Sequence, residues 1–284
     1  MKLLLNTSRK EILSNILIEA DFVQLEICVA AFLSQDPVLL KELNDGQDLH
    51  ENNKGLFKLP SRLEAKKFIF RMLYGGSAYS YANDPEFQHV SKSKHYWQRA
   101  IDKFYEKYAG IAKWHEELIK EVIENGCYYG PTARRYTFAG LDSGRIPDTD
   151  IKNYIVQGTG ADILQLARIL VWRRLHHERV FPPPSRDPAL NPLPLHRVPL
   201  VMGDICVCRK PEKVLPILRT TVHDSLLIET SVETAGDIRR SIQEAWRDIP
   251  NEFGKRYGVE LNVPCRVEIK QGPTWGTLET IYKG

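Results

Sequence analysis

The sequence predicts an α+β protein in which a long helical segment separates a first strand from a later group of strands. Residues 16–20 are β-prone, residues 37–125 show helical periodicity almost throughout, and strand patterns return from about residue 201. With 284 residues, 43% of them hydrophobic, the chain is large enough for one large domain or two interdependent domains.

The first predicted strand ends at an acidic residue and leads into a helix. Residues 16–20 run into Asp21, after which apolar residues recur at helical spacing. This helix is expected to end near Ser34, because Pro37 disfavours a helical conformation in the residue before it and can itself open the next helix. The apolar positions are Leu25, Cys28, Val29, Phe32 and Leu33.

A further helix is predicted over residues 61–74, with Ser61 as its N-cap and Gly75 as part of the break that follows. One face of this helix is apolar and can pack in a core; it consists of Ala65, Phe68, Ile69 and Met72. An adjacent edge carries two cations and then two aromatic residues at intervals of four; these are Arg62, Lys66, Phe70 and Tyr74.

That edge has two interpretations. It is either ordinary surface with snorkelling cations, or it binds an anion at its N-terminal end and a flat ring system further along. Residues 54–71 carry a net charge of +5 in a chain whose net charge is +3, so the positive charge is concentrated around this helix. A nucleoside triphosphate has the matching shape and charge.

The remaining elements follow from periodicity and turn residues. Residues 181–198 are proline-rich and predict an exposed connection rather than a core element. The other predicted elements are helices within 96–125 and at 151–175 and 233–257, a hairpin at 127–138, and strands at 201–208, 214–222, 226–230 and 262–270.

Composition excludes several classes of protein. The five cysteines are scattered and lack the paired spacing of a zinc site. No long apolar run follows the charged start, so neither a membrane span nor a signal peptide is expected. We therefore expect a cytoplasmic protein with reduced cysteines and no membrane partner.

Two aspartates occupy positions where acids can act chemically. Asp21 closes the first strand, and Asp224 lies at a bend between two later strands. Aspartates at such places usually serve as caps or turn residues. If the two converge in the fold, they can instead share two magnesium ions, as in-line phosphoryl transfer requires.

Six segments, taken together, resemble the conserved segments of family A DNA polymerases, the relatives of bacterial DNA polymerase I. In chain order they are DFVQLEICVAAFLSQDP (21–37), DLH (48–50), RLEAKKFIFRMLYG (62–75), PTARRYTF (131–138), NYIVQGTGADI (153–163) and VHDS (222–225). One such segment would be only suggestive, but six in the same order specify the family. The resemblance extends from residue 16 to about residue 276.

The resemblance implies a polymerase palm, an antiparallel sheet with helices, interrupted by a long helical fingers insertion. It implies palm at 1–36, fingers at 37–130 and palm again at 131–284, with the proline-rich insertion at about 181–198. The family places its thumb and first palm strands upstream of the position of Asp21. We therefore expect a split or truncated polymerase, of phage type, whose partner chain supplies those parts.

The resemblance also assigns roles around a nucleotide. Asp21 and Asp224 resemble the carboxylates that hold two magnesium ions, and Lys66 resembles the fingers residue that grips the triphosphate and protonates the departing pyrophosphate. Arg62 and His50 would assist in gripping it. Phe70 would pack on the sugar and base of the incoming deoxynucleotide and Tyr74 would lie near the templating base, while Glu26 would block a ribose 2′-hydroxyl beside Gln24.

The residues expected to contact primer-template DNA complete the set. By resemblance, three lie near the primer terminus and the minor groove, namely Asn153, Gln157 and His223. Arg134 and Arg135 resemble backbone contacts, although a solvated hairpin is an adequate alternative.

The chain departs from the family at a few positions. Ser225 stands where most bacterial relatives have a glutamate, Ala133 where a glycine is usual, and Arg71 where a small residue is usual. Thr149 replaces a frequent arginine. Template-directed DNA synthesis is the expected function; the alternatives are a catalytically degenerate subunit of the same fold and a single-subunit RNA polymerase, which Glu26 disfavours.

Overall fold

The computed structural model describes residues 15–138, 146–176 and 216–284, and all structural statements refer to these ranges. Within them the chain forms two compact units. The sheet unit comprises described residues within 15–23, 163–249 and 265–284, and the helical unit comprises those within 24–162 and 250–264. The domain boundaries expected from the resemblance stay a prediction.

Most of the described elements that had predicted bounds begin and end within a few residues of them. In chain order they are β1 (Asn15–Phe22), α1 (Leu25–Ser34), α2 (Pro37–Asn44), α3 (Leu49–Leu56), α4 (Arg62–Leu73), α5 (Ala78–Asn83), α6 (Lys94–Lys107), α7 (Ala109–Asn125), β2 (Cys127–Tyr129), β3 (Arg135–Thr137), α8 (Asp148–His176), β4 (Ile217–Val222), β5 (Ser225–Ser231), α9 (Ala235–Tyr257), β6 (Val267–Gly272), a 3-10 turn (Trp275–Thr277) and β7 (Glu279–Lys283).

The sheet unit is built on five strands in the order β4-β5-β1-β6-β7, and every neighbouring pair is antiparallel. On β1 the alternate residues Ile18, Ala20 and Phe22 are buried, because successive side chains of a strand point to opposite faces. The ring of Trp246 on α9 packs with its centre 4.8 Å from that of Phe22. Glu19 and Asp21 therefore belong to the opposite, non-core face of β1.

The helical unit has an aromatic core centred on α4. The predicted apolar face of this helix is buried, and Phe68 on it is fully enclosed. Four other rings surround Phe68, with ring centres between 5.1 and 6.2 Å away; they are Phe57, Tyr81, Trp97 and Phe104. This packing holds α4 by one face and leaves the edge with Lys66 and Phe70 outside the core.

The α+β fold class with an antiparallel sheet is confirmed. The predicted start of the last strand at residue 262 was wrong: β6 begins at Val267, and Pro264, which has no backbone N–H to donate, lies in the irregular stretch before it. Strand β7, which pairs with β6, was not predicted. The predicted strand at 201–208 and the proline-rich connection at 181–198 lie outside the described residues.

No helix in the described ranges combines the length and the apolar character that a membrane span needs.

Candidate active site

The two aspartates converge at one end of the central strands of the sheet unit. The antiparallel register of β1 and β5 pairs Asp21 with Ser225, and Asp224 is the residue before it in the turn. The backbone N–H of Phe22 donates to the carbonyl of Asp224 over 3.1 Å, which fastens this turn to β1. The side chains of Asp21 and Asp224 lie within hydrogen-bonding reach of each other.

This proximity affects the acidity of the pair. Burial and then the neighbouring Asp224 carboxylate raise the pKa of Asp21 to about 7. The Lys270 ammonium opposes both effects and lowers the pKa, whereas Glu19 raises it. The site is thus an accumulation of negative charge that the Lys270 ammonium partly offsets.

The donor set of this pair fits a divalent cation. Two carboxylates supply hard oxygen ligands, and a cation between them would relieve the repulsion that makes Asp21 difficult to ionise. No group of three or more His, Cys, Asp or Glu side chains in the described ranges is arranged to hold a metal ion by itself. Two carboxylates are within the number that magnesium takes from a protein, since it completes its shell with water and substrate phosphates.

Residue His223 lies in the turn between β4 and β5. It is exposed and has a φ of 53°, in the left-handed region, so the tight turn that presents Asp224 places a non-glycine residue in an unfavourable backbone conformation. The role of His223 in DNA binding stays a prediction.

In the helical unit, the predicted edge of α4 is exposed at Arg62 and Lys66 and half-buried at Phe70 and Tyr74. The Ser61 hydroxyl caps the helix by accepting from the N–H of Leu63 over 3.1 Å, and Arg62 Nε donates to Asp48 Oδ2 over 2.8 Å. Lys66 Nζ lies 5.7 Å from the ring centre of Phe70. Lys66 is exposed and has no ion pair among the described residues, so its charge is available to a ligand.

Residue His50 packs beside this edge. Its ring centre lies 6.2 Å from that of Phe70, and its Nε2 lies 3.4 Å from Gln24 Nε2. Burial and then the charge of Arg62 lower the pKa of His50 to about 4. At neutral pH the ring is therefore uncharged and offers a hydrogen bond rather than a positive charge.

Residues Glu26, Tyr74 and Gln157 form a polar network. Gln157 Nε2 donates to Tyr74 Oη over 3.0 Å and also to Glu26 Oε1. Burial, followed by the Glu26 charge, raises the pKa of Tyr74, so its hydroxyl stays protonated. The structure thus brings together three residues that the resemblance assigned separately, whereas Asn153, on α8 as well, is exposed and has no part in this network.

The hairpin arginines behave differently from each other. Arg134 forms an ion pair with Asp162, whose Oδ2 also accepts from the Thr132 hydroxyl. Arg135 is exposed. Ala133 between the hairpin strands has a φ of 60°, in the left-handed region that favours glycine. Alanine at this position, where glycine is usual in the family, therefore strains the backbone.

Sequence reasoning missed the charged residues around the aspartate pair, namely Glu19, Glu268 and Lys270. The sequence did carry a signal for them. Glu19 and Asp21 are two residues apart on β1, as are Glu268 and Lys270 on β6, so each pair projects to one face of its strand. Sequence could not show that β1 and β6 are neighbours in a register that pairs Glu19 with Lys270.

Comparison with known families decides the relationship. A family model described as DNA polymerase family A matches residues 7–277, nearly the whole chain. The chain belongs to family A of the DNA polymerases. All six segments, which run from residue 21 to residue 225, lie within the matched range.

Individual family A relatives share a low but extended identity with this chain. DNA polymerase I of Borreliella burgdorferi is 23% identical over 277 residues, which cover 93% of this chain and 25% of the relative. DNA polymerase I of Aquifex aeolicus is 28% identical over 233 residues, covering 79% of this chain and 36% of the relative. The chain thus spans about a quarter to a third of the length of these relatives.

A solved structure has the same fold. It is the POL domain of Pol1 from M. smegmatis in complex with DNA primer-template and dNTP, with a TM-score of 0.68 at 21% identity, over 93% of this chain and 40% of that one. This likeness confirms the family A polymerase fold.

Proposed function

We propose that this chain catalyses template-directed DNA synthesis, adding deoxynucleotides to the 3′-hydroxyl of a primer. In this reaction the 3′-hydroxyl loses its proton to water and its oxygen bonds to the α-phosphorus of the incoming triphosphate. The bond from that phosphorus to the bridging oxygen breaks, and pyrophosphate leaves. The observation that carries the proposal is the convergence of Asp21 and Asp224 at the turn that follows β4. Family membership supports it, since the relatives are DNA polymerases I.

Asp21 and Asp224 would hold two magnesium ions. When bound, such ions lower the pKa of the attacking hydroxyl and neutralise charge on the triphosphate. The chain's own contribution is to bring the two carboxylates together and to hold Asp224 in a turn bonded to Phe22. A turn bonded in this way would keep the two carboxylates close together for in-line transfer.

The edge of α4 would hold the nucleotide. Lys66 has no ion-pair partner among the described residues, so it can bind the phosphates and deliver a proton to the leaving pyrophosphate. Arg62 gives a second cation near the positive end of the helix, and Phe70 offers a ring face for sugar and base. Along α4 from its N-terminal end, the nucleotide would thus contact the helix first through its phosphates and then through its sugar and base.

The network of Glu26, Tyr74 and Gln157 would select deoxyribose. Gln157 holds Glu26 and Tyr74 in place, so a ribose 2′-hydroxyl would meet a fixed carboxylate that is already hydrogen-bonded. We propose DNA primer-template and deoxynucleoside triphosphates as substrates, as in the Pol1 domain complex.

Primer extension tests this proposal. The full chain is incubated with magnesium, four deoxynucleotides and a labelled primer-template, alongside Asp21→Asn and Asp224→Asn. Each substitution should reduce extension at least about a thousandfold, because metal-held charge stabilisation supplies several kcal/mol to such reactions. Asp237→Asn, at an exposed carboxylate in the first turn of α9, is the matched control and should leave extension unchanged.

Primer extension that persists in Asp224→Asn would rule out the catalytic role of Asp224.

The partner chain expected from the sequence stays a prediction. It is tested in the same assay by adding the candidate chain. Longer extension products that still require Asp224 would support it.

A non-catalytic subunit of the same fold is the second candidate. It is favoured by Ser225, whose hydroxyl is turned to the carbonyl of Val222 at 3.0 Å and supplies no carboxylate where relatives have one. Metal-dependent binding of a templated deoxynucleotide separates the candidates, since a structural subunit has no requirement for it.

A further inference from the structure

The non-core face of the sheet carries an organised set of charges beside the aspartate pair. Glu19 and Asp21 alternate on β1, and the antiparallel register sets Lys270 opposite Glu19 and Glu268 opposite Asp21. Directly opposite residues of an antiparallel pair project to the same face. The four charged side chains therefore share one face, and Lys270 is the cation among them.

Contacts fix the position of the Lys270 ammonium. Its Nζ lies 3.2 Å from Glu19 Oε2 and 3.6 Å from Glu268 Oε2. The other oxygen of Glu19 accepts from Trp275 Nε1 over 3.1 Å, and the other oxygen of Glu268 lies 3.3 Å from Lys283 Nζ. Each carboxylate that holds Lys270 is thus itself held by a second donor, so the ammonium has little freedom to leave this face.

An ordinary cross-strand ion pair would explain only part of this arrangement. Such pairs contribute little to stability when they are solvated. The same sheet has an example between β4 and β5, where Arg219 pairs with Glu229. Lys270 differs because it bridges two carboxylates and because its charge acts on Asp21. Without it, Glu19 would have no cationic partner among the described residues and Glu268 would keep only Lys283, so the negative charge beside the Asp21 and Asp224 pair would increase.

We propose that Lys270 is a built-in counter-cation that weakens binding of divalent metal to the Asp21 and Asp224 pair until a triphosphate brings its own negative charge. The inference rests on the proposed function, because it takes these two aspartates as the metal-binding pair. Without Lys270, the same carboxylates would attract divalent metal more strongly in the absence of nucleotide. With Lys270 in place, the full set of metal ions is acquired together with the substrate.

Charge-changing substitutions should shift metal affinity in opposite directions. Lys270→Gln removes the competing cation and should tighten metal binding by on the order of fivefold at low salt. Glu19→Gln releases Lys270 from one partner and removes one negative charge, so metal binding should weaken by a similar factor. In the double variant the two charge changes cancel, and the affinity should return close to that of the unchanged protein.

Binding of Mn²⁺ to the full chain, without nucleotide or DNA, measures this directly by electron paramagnetic resonance of the free ion. Arg219→Gln is the matched control, since it breaks an ion pair of the same sheet away from the aspartates and should not change the affinity. Lys270→Arg keeps the charge and should bind as the unchanged protein does, and thermal melts verify that each variant folds. Opposite shifts for Lys270→Gln and Glu19→Gln support the proposal.

Equal affinity of Lys270→Gln and the unchanged protein would overturn the counter-cation role while leaving the metal-binding pair intact. If Lys270→Gln does not fold, the comparison of Lys270→Arg with Glu19→Gln decides the matter, and unaltered binding in Glu19→Gln would overturn the proposal. Mn²⁺ binding that is unaffected by Asp224→Asn would instead overturn both the metal-binding pair and the inference that rests on it.

Discussion

Asp21 on β1 lies directly opposite Ser225 on β5 in the antiparallel register of the central sheet. This pairing decides where Asp224 lies, because it is the residue before Ser225 in the turn between β4 and β5. A slip of one residue between the two strands would turn the alternating core residues of β1 to the wrong face. The burial of Ile18, Ala20 and Phe22 therefore stabilises the same register that brings the two aspartates together.

The hydroxyl of Ser225 supports this turn, and we expect Ser225→Ala to loosen it. Its Oγ donates to the carbonyl of Val222 over 3.0 Å, so the substitution should lower the free energy of unfolding by about 1 kcal/mol and weaken Mn²⁺ binding. Ser231→Ala, at a buried serine bonded to Thr234 at the far end of β5, is the control. It should lower stability similarly without changing metal affinity, as urea unfolding and metal titration would measure. Equal metal binding in both variants would contradict the prediction.

Neighbouring lysines on α4 should differ sharply in their effect on nucleotide use. Lys66→Gln should lower kcat/KM for deoxynucleotides by roughly ten- to a hundredfold, because a charged hydrogen bond to phosphate contributes about 1.5–3 kcal/mol. Lys67→Gln is the control, since Lys67 Nζ is already paired with Glu86 at 2.8 Å. Steady-state primer extension at varied nucleotide concentration measures both. If kcat/KM fell by a similar factor in both variants, the effect would come from the overall positive charge of α4 rather than from a contact between Lys66 and phosphate.

Two phenylalanines on α4 should separate stability from nucleotide binding. Phe68→Ala should lower the free energy of unfolding by about 3–5 kcal/mol, because Phe68 is fully buried among the aromatic rings of the helical unit. Phe70→Ala should change stability much less, since Phe70 lies outside that core, but it should raise KM for deoxynucleotides. Chemical denaturation and kinetics on the same preparations provide the comparison. Similar losses of stability would show that Phe70 belongs to the core.

Discrimination against ribonucleotides should depend on Glu26. Glu26→Ala removes the carboxylate that Gln157 positions, so the ratio of ribonucleotide to deoxynucleotide incorporation should rise by at least roughly tenfold. Glu117→Ala, at an exposed position on α7, is the control. Incorporation of one nucleotide on a defined template measures the ratio. An unchanged ratio in Glu26→Ala would rule out the role of Glu26 as the block to a 2′-hydroxyl.

Stability should fall as the pH decreases below about 6.5. Burial lowers the pKa of His50 to about 4 and that of His115 to about 3, so between those values and 6.5 the unfolded chain binds more protons than the folded one. Stability from these neutral rings is fully present above 6.5 and is lost as the pH falls, by on the order of 2 kcal/mol for each ring at pH 5. The raised pKa of Asp21 acts in the opposite direction and offsets part of this loss, because that carboxyl binds a proton more readily in the folded chain.

Urea unfolding from pH 7 to pH 5 measures this loss. In His115→Asn the dependence on pH should be shallower, whereas His95→Asn, at an exposed position on α6, should retain the full dependence. Identical slopes in the two variants would mean that His115 is not responsible.

Much of the fold could be predicted because local patterns were strong. The spacing of apolar residues in α1 and α4, the cap at Ser61 and the break at Gly75, which has a φ of 82°, are properties of short segments. Strand β7 was missed because all of its residues are exposed, so it has no buried face to give an alternating pattern. Its place in the sheet comes from backbone pairing with β6.

The sequence by itself determined the α+β class, the family and the candidate residues, because motifs and periodicity depend only on residues that are close together along the chain. Only the tertiary structure decided that Asp21 meets Asp224, that Gln157 joins Glu26 to Tyr74, and that Lys270 lies between Glu19 and Glu268. The physical reason is that strand order and register depend on burial and pairing between segments far apart in the chain, which no local pattern records.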